Sequence, residues 1–164
     1  MTSMATNAQE IKQVTHTGIL NLKGPPNEIF PLFTPMGEYQ WIPGWEVELI
    51  YPETQEPQQG TIFVNSHFPD VKTYWLTIAY DPEQRLAIYA NVTPDVWIMR
   101  LDITCEEGSD NDTLAKMTYA VTSLSSHGNR VLDHMFNQET FHKRITQFEE
   151  WINYSLLHGK PMPG

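Results

Sequence analysis

Glu38 stands among apolar neighbours, a few residues before two tryptophans, Trp41 and Trp45, that flank Pro43-Gly44. A carboxyl in apolar surroundings is desolvated and its pKa rises, as a general acid or base near neutral pH requires. The plainer role for Glu38 is a helix first-turn acid that interacts favourably with the helix dipole. Each indole offers a flat apolar face and one N–H donor. The pair suits an aromatic wall at a pocket mouth, and it also suits a plug that pins a helix-to-strand turn. Tyr119 and His67 are the other side chains able to move a proton, although His67 also reads as a surface-loop residue beside the turn at 68–70.

Other chemistry finds little support. Zinc wants three or four converging ligands. His134 and His142 are eight apart on a helical segment, not the four that stack two ligands on adjacent turns, and His67 with Asp70 supplies only two. Cys105 lies on an apolar strand face, where a thiol behaves as a small inert hydrophobe. Ser126-His127 adjacency is not triad geometry. No glycine-rich phosphate loop or dinucleotide fingerprint is present. No catalytic nucleophile, metal or cofactor is therefore expected.

The elements that must position these residues follow from periodicity. Residues 14–22 read as a first strand. Gly24-Pro25-Pro26 stops it, and two short helices follow, over 27–33 and 35–41, the second with Thr34 as cap and Pro35 at its first position. Residues 45–51 alternate, with Trp45, Val47, Leu49 and Tyr51 on one face. Further strands cover 61–67, 72–80, 85–92, 96–106 and 114–124, joined by turn-forming segments such as Asp81-Pro82-Glu83-Gln84. From 129 to 158 the apolar residues step by three and four, one face of a single helix of about 45 Å, stopped by Gly159 and Pro161. Short loops favour an antiparallel sheet. The helix must bury its apolar face on that sheet. The fold class is α+β: a seven-stranded curved antiparallel sheet wraps a long C-terminal helix, with two short helices between strands 1 and 2. Residues 1–13 read as a polar, disordered leader without a signal peptide, 14–159 as one domain and 160–164 as a tail.

The net charge of −10 in 164 residues, with Lys and Arg scattered, argues against nucleic acid and anionic lipid as partners. No apolar run approaches the length of a membrane span. A single cysteine fits a reducing, cytoplasmic setting. The chain is expected as a monomer or homodimer.

Phe30-Pro31-Leu32-Phe33-Thr34-Pro35-Met36-Gly37-Glu38 followed by Trp41-Ile42-Pro43-Gly44-Trp45 resembles a signature of bacterial members of the START-like superfamily, also called the SRPBCC or polyketide-cyclase-like group. Tyr80-Asp81-Pro82, Val92-Thr93-Pro94 and Leu124-Ser125-Ser126-His127-Gly128-Asn129 resemble the same group, and the likeness runs from about residue 15 to 158. The resemblance implies the helix-grip fold and a hydrophobic cavity. Its members include lipid carriers, hormone receptors and aromatase/cyclases, so it does not set function.

The inward strand faces offer Phe63, Trp75, Trp97, Met99, Met117 and Tyr119, and the helix adds Met135, Phe136 and Phe141. The phase of the strands carrying Trp75 and Tyr89 is open, because both faces carry apolar groups. Flat rings and flexible thioethers suit a deformable cavity. The expected function is binding of a small hydrophobic or aromatic molecule by Glu38, Trp41, Trp45, Phe63, Trp75, Trp97, Met99, Met117, Tyr119, Met135 and Phe136. A cyclase- or hydratase-type enzyme in the same cavity and a co-chaperone-like interaction module are the alternatives.

Overall fold

The computed structural model describes residues 10–164. Residues 1–9 of the expected leader lie outside the described residues. Residues 10–13, expected as part of that leader, are instead tied down: the Lys12 amide donates to Ser123 Oγ at 2.9 Å, and Asn129 Nδ2 donates to the Glu10 carbonyl at 2.6 Å.

The seven strands are β1 (Gln13–Leu22), β2 (Glu48–Tyr51), β3 (Ile62–Phe68), β4 (Val71–Asp81), β5 (Leu86–Thr93), β6 (Trp97–Glu107) and β7 (Thr113–Ser123). They form one antiparallel sheet in the order β1-β7-β6-β5-β4-β3-β2. Neighbours in sequence are neighbours in space from β2 to β7, and β1 closes on β7, so that the edges are β1 and β2. β2 is shorter than the expected strand at 45–51, and Tyr51 is exposed.

Period-two patterning sets the concave face. Trp97, Met99, Leu101, Ile103 and Cys105 of β6 are buried, as are Ala115, Met117, Tyr119 and Val121 of β7. The pairing register settles the open phases: Trp75 lies opposite Phe63 and Asn91, and Tyr89 is buried, so both belong to the concave side.

Between β1 and β2 the chain makes a one-turn helix α1 (Pro26–Ile29), a 3-10 turn Phe30–Phe33 and a second 3-10 turn Gly37–Gln40. Proline at position 31, which lacks an N–H, accounts for the tight turn where a longer helix was expected. The C-terminal helix is two helices, not one. α2 (Ser126–Met135) ends and α3 (Gln138–His158) begins at Asn137. The Asn137 side chain caps both: Oδ1 accepts from the Thr140 amide at 2.9 Å, and Nδ2 donates to the carbonyls of Asp133 and His134. Asparagine competes for backbone groups in this way, and so favours helix ends over helix interiors. The apolar stripe continues across the break, which turns Phe136 inward, 1% exposed, against the edge of Trp97. α3 alone extends about 31 Å across the concave face.

Candidate functional site

The second 3-10 turn positions Glu38. Thr34 Oγ1 accepts from the Gly37 amide at 3.0 Å and donates to the Pro31 carbonyl at 2.7 Å, and the Glu38 amide donates to the Thr34 carbonyl at 3.0 Å. Position 37 has no room for a side chain, because a Cβ there would lie 2.0 Å from the Pro31 oxygen. Glycine thus lets the turn fold back on itself and aims Glu38 under the sheet. Trp41 is buried, donates its N–H to the Leu32 carbonyl at 2.8 Å and stands edge-on to Phe148 of α3. Trp45, half-buried, donates to the Pro35 carbonyl at 2.9 Å.

Between these turns, α3 and the concave sheet lies a cavity of about 300 Å³. All eleven residues singled out from the sequence line it: Glu38, Trp41, Trp45, Phe63, Trp75, Trp97, Met99, Met117, Tyr119, Met135 and Phe136. Phe141 does not line it; its ring packs against His16 and Tyr119 toward β1. The aromatic wall is cross-braced. Phe63 stacks on Trp75 with centroids 5.5 Å apart, and Tyr89 meets both edge-on. Trp75 donates to Asn65 Oδ1 at 2.7 Å and Trp97 to Asn91 Oδ1 at 2.8 Å. Every indole N–H of Trp41, Trp45, Trp75 and Trp97 is therefore used inside the protein, and these four rings turn apolar surface to the cavity.

The polar lining is sparse. Glu38 is surrounded by protein while part of its surface faces the cavity, and burial alone pushes its carboxyl up to about 8. No hydrogen-bond partner for that carboxyl is found among the described residues. Tyr89 donates its hydroxyl to the Phe33 carbonyl at 2.9 Å; burial, reinforced by Glu38 and Tyr80, pushes its pKa up. The buried Tyr119 is also pushed up, mainly by desolvation, with Arg144 opposing and Glu38 reinforcing.

His67 belongs to β3 and lines the cavity rim, correcting its placement in a surface loop. Its Nδ1 bonds Thr73 Oγ1 at 2.9 Å, and Thr73 in turn bonds Thr93. Much of the residue's surface is open at the rim, yet the rings of Phe68, Trp75 and Trp97 crowd it. That desolvation, with the charge of Arg144, pushes the imidazole down to about 4, so it is neutral at physiological pH. Among the described residues, no group of three or more His, Cys, Asp or Glu side chains could hold a metal ion.

Sequence reasoning did not single out Arg144, Gln147, Phe148 or Trp151, all lining residues on α3. Phe148 and Trp151 were visible as part of the apolar stripe. Nothing in helical periodicity separates the portion of a stripe that touches a sheet from the portion that overhangs a gap.

No protein-family model matches the sequence, and no curated protein matches it. Solved structures do. Norcoclaurine synthase from Thalictrum flavum, in complex with dopamine and hydroxybenzaldehyde, is 13% identical, with a TM-score of 0.66 over 92% of this chain and 90% of that one. An uncharacterised protein from Rhizobium leguminosarum is 16% identical, with a TM-score of 0.63 over 88% of this chain and 97% of that one. Ara h 8.0201 is 13% identical, with a TM-score of 0.61 over 89% of this chain and 99% of that one. The chain has the helix-grip fold of these proteins, the architecture implied by its resemblance to the START-like superfamily. At such identities the likeness extends to fold and no further.

Proposed function

We propose that the chain binds a small hydrophobic or aromatic molecule in the cavity under α3. The observation that carries this reading is the wall itself: four tryptophan rings whose N–H groups are internally satisfied, held around about 300 Å³ that side chains leave unfilled. This volume falls at the small end of the usual range for ligand pockets, roughly 300–1,000 Å³. A close-packed core has no comparable void. That a structural neighbour, norcoclaurine synthase, is seen with dopamine and hydroxybenzaldehyde supports small aromatics as the class to try first. The lone Cys105, buried as a free thiol, fits a reducing, cytoplasmic setting. Among the described residues no helix is long and apolar enough to cross a membrane.

Native mass spectrometry of freshly purified protein, with displacement of an environment-sensitive dye by a small-aromatic panel, tests the reading. A bound small molecule, or displacement by members of the panel, is expected. If neither appears, and a cavity-filling variant behaves as the native protein does, the cavity is not a ligand site.

One observation favours a second reading, proton transfer of the cyclase or hydratase kind. Glu38 holds its proton at neutral pH and faces the same space as Tyr119 and the rim His67. It is thus placed to act as a general acid on a carbonyl or alkoxide oxygen. Once a substrate is found, Glu38→Gln should lower kcat by a factor of about 100 or more, within the range of general acid catalysis. Unchanged turnover in this variant, in Tyr119→Phe and in His67→Gln would remove the enzyme reading with these residues.

A further inference from the structure

Among the described residues, Arg144 is the one Lys or Arg side chain that lines the cavity. Its guanidinium carbon lies 5.1 Å above the centre of the Phe136 ring. The four ion pairs among the described residues are Lys12–Asp133, Lys23–Asp112, Arg100–Asp102 and Lys143–Glu139, and Arg144 takes part in none of them. A guanidinium stays charged at any physiological pH. A cation in a low-dielectric site is costly unless an opposite charge accompanies it.

The plainer account is that the side chain rests its stem on Phe136 and extends its head to water. The place of the head argues otherwise. Phe136, the ring beneath it, is buried, lines the cavity and lies 6.2 Å from the Tyr119 ring, so the guanidinium stands at the cavity wall. The charge therefore faces the cavity, not only the solvent beyond α3. Among the described residues no carboxylate lies within ion-pair distance of it. His67 is neutral, the Tyr119 phenol holds its proton, and the Glu38 carboxyl is protonated near neutral pH. Like Arg144, the Tyr119 hydroxyl has no hydrogen-bond partner among the described residues. One cation and one unused hydroxyl thus meet the same largely apolar space, whose other polar side chains, Glu38 while protonated, His67, Tyr89 and Gln147, carry no negative charge.

We infer that the ligand is an apolar, ring-containing monocarboxylate, its carboxylate held by Arg144 and the Tyr119 hydroxyl and its body packed between the tryptophan rings. Guanidinium geometry matches a carboxylate with two parallel N–H donors. The inference rests on the cavity being a ligand site, and it adds the charge that the ligand must carry. A neutral ligand would leave Arg144 uncompensated in a site that the ligand itself dries, and a cationic one would be repelled.

The test uses matched probes on the full chain: benzoate, 2-naphthoate and anthracene-9-carboxylate, each against its primary amide, followed by quenching of tryptophan fluorescence. At least one carboxylate should bind tenfold or more tighter than its amide. Arg144→Gln should bring that ratio to near one, by weakening the acid and sparing the amide. Arg144→Lys should keep part of the preference, because it keeps the charge and loses the fork. Tyr119→Phe should lower the ratio by a smaller factor. Binding of acids and amides alike in the native protein overturns the inference and leaves the ligand site standing. A preference that persists in a folded Arg144→Gln also overturns it. If no probe of either kind binds, both the site and the inference fall. Should Arg144→Gln not fold, the native ratio and Arg144→Lys decide the matter.

Discussion

Arg144 and Ile145 are adjacent in α3, yet one overhangs a cavity and the other is wedged against backbone. Ile145 is buried over β1, where Gly18 leaves so little space that a Cβ would lie 2.5 Å from Ile145 Cγ1. Directly across the ladder from Gly18 stands Met117, which lines the cavity. Residues directly opposite in an antiparallel pair share a face. The change from tight contact to open space therefore falls within one cross-strand pair. The helix is not held at a uniform height above the sheet. It is pressed down on the β1 side and stands clear over the tryptophan wall. A glycine sets the first condition, and the rings braced between sheet and entry turns set the second.

Adding bulk on the two sides should have opposite consequences. Gly18→Val drives a branched side chain into Ile145, itself β-branched and buried, so the helix must lift. Overpacking of this kind costs typically 1–3 kcal/mol, and about 3 kcal/mol is expected in urea unfolding. A loss below about 0.5 kcal/mol would mean that the β1 contact is loose and the comparison false. Met117→Trp adds far more volume one strand away, but into space. Stability should change by less than about 1 kcal/mol, while affinity for any cavity ligand falls tenfold or more, a loss of at least about 1.4 kcal/mol. A large destabilisation here would show that the cavity closes up in solution.

The two sides also differed in how well they could be read from the sequence. The strand wall was legible because period two commits every second residue to one face, and tryptophan and methionine were over-used there. Trp75 and Tyr89 were harder, since β4 and β5 carry apolar groups on both faces. There only the pairing register decides, and register is a long-range property. The helix was legible as a stripe but not as a position. Arg144 beside Lys143 carried no mark in the sequence that its side chain overhangs a cavity. The break at Asn137 was hidden because the stripe runs through it, although asparagine within a helical pattern was a visible sign. The entry turns were legible as a motif whose reason, the close approach at Gly37, required coordinates.

The open side should also govern pH dependence. Glu38 is pushed from its ordinary 4.5 to about 8, so between those values the folded protein binds a proton that the unfolded chain has released. Stability from this group is full below pH 4.5 and is lost as pH rises through 8, with a slope of at most about 1.4 kcal/mol per pH unit. His67 has the opposite sign. Its folded value lies near 4, below the ordinary 6.5, so its contribution grows as pH rises through that window. The two slopes oppose each other between about pH 4.5 and 6.5, and Glu38 acts alone from there to 8. Urea midpoints should fall between pH 6.5 and 8 in the native protein, and Glu38→Gln should flatten that fall. An equal fall in the variant would mean that water reaches the carboxyl freely, which would weaken the general-acid reading as well.

The smallest expected effect belongs to the tight side and asks what holds α3 down. Asn153 Oδ1 accepts from the Lys23 amide at 2.8 Å, Asn153 Nδ2 donates to the Asn21 carbonyl at 3.0 Å, and Glu149 Oε2 accepts from the Asn21 amide at 2.7 Å. These side chains serve backbone groups where β1 is an edge strand, as covering an open edge requires. Water can replace them, because the groups are exposed, so Asn153→Leu should cost only about 1 kcal/mol. Amide exchange at Lys23 should quicken, while cavity affinity stays the same. If affinity instead drops with Asn153→Leu, the polar ties set the height of α3 over the cavity. The glycine contact would then be a consequence of the helix position and not its cause.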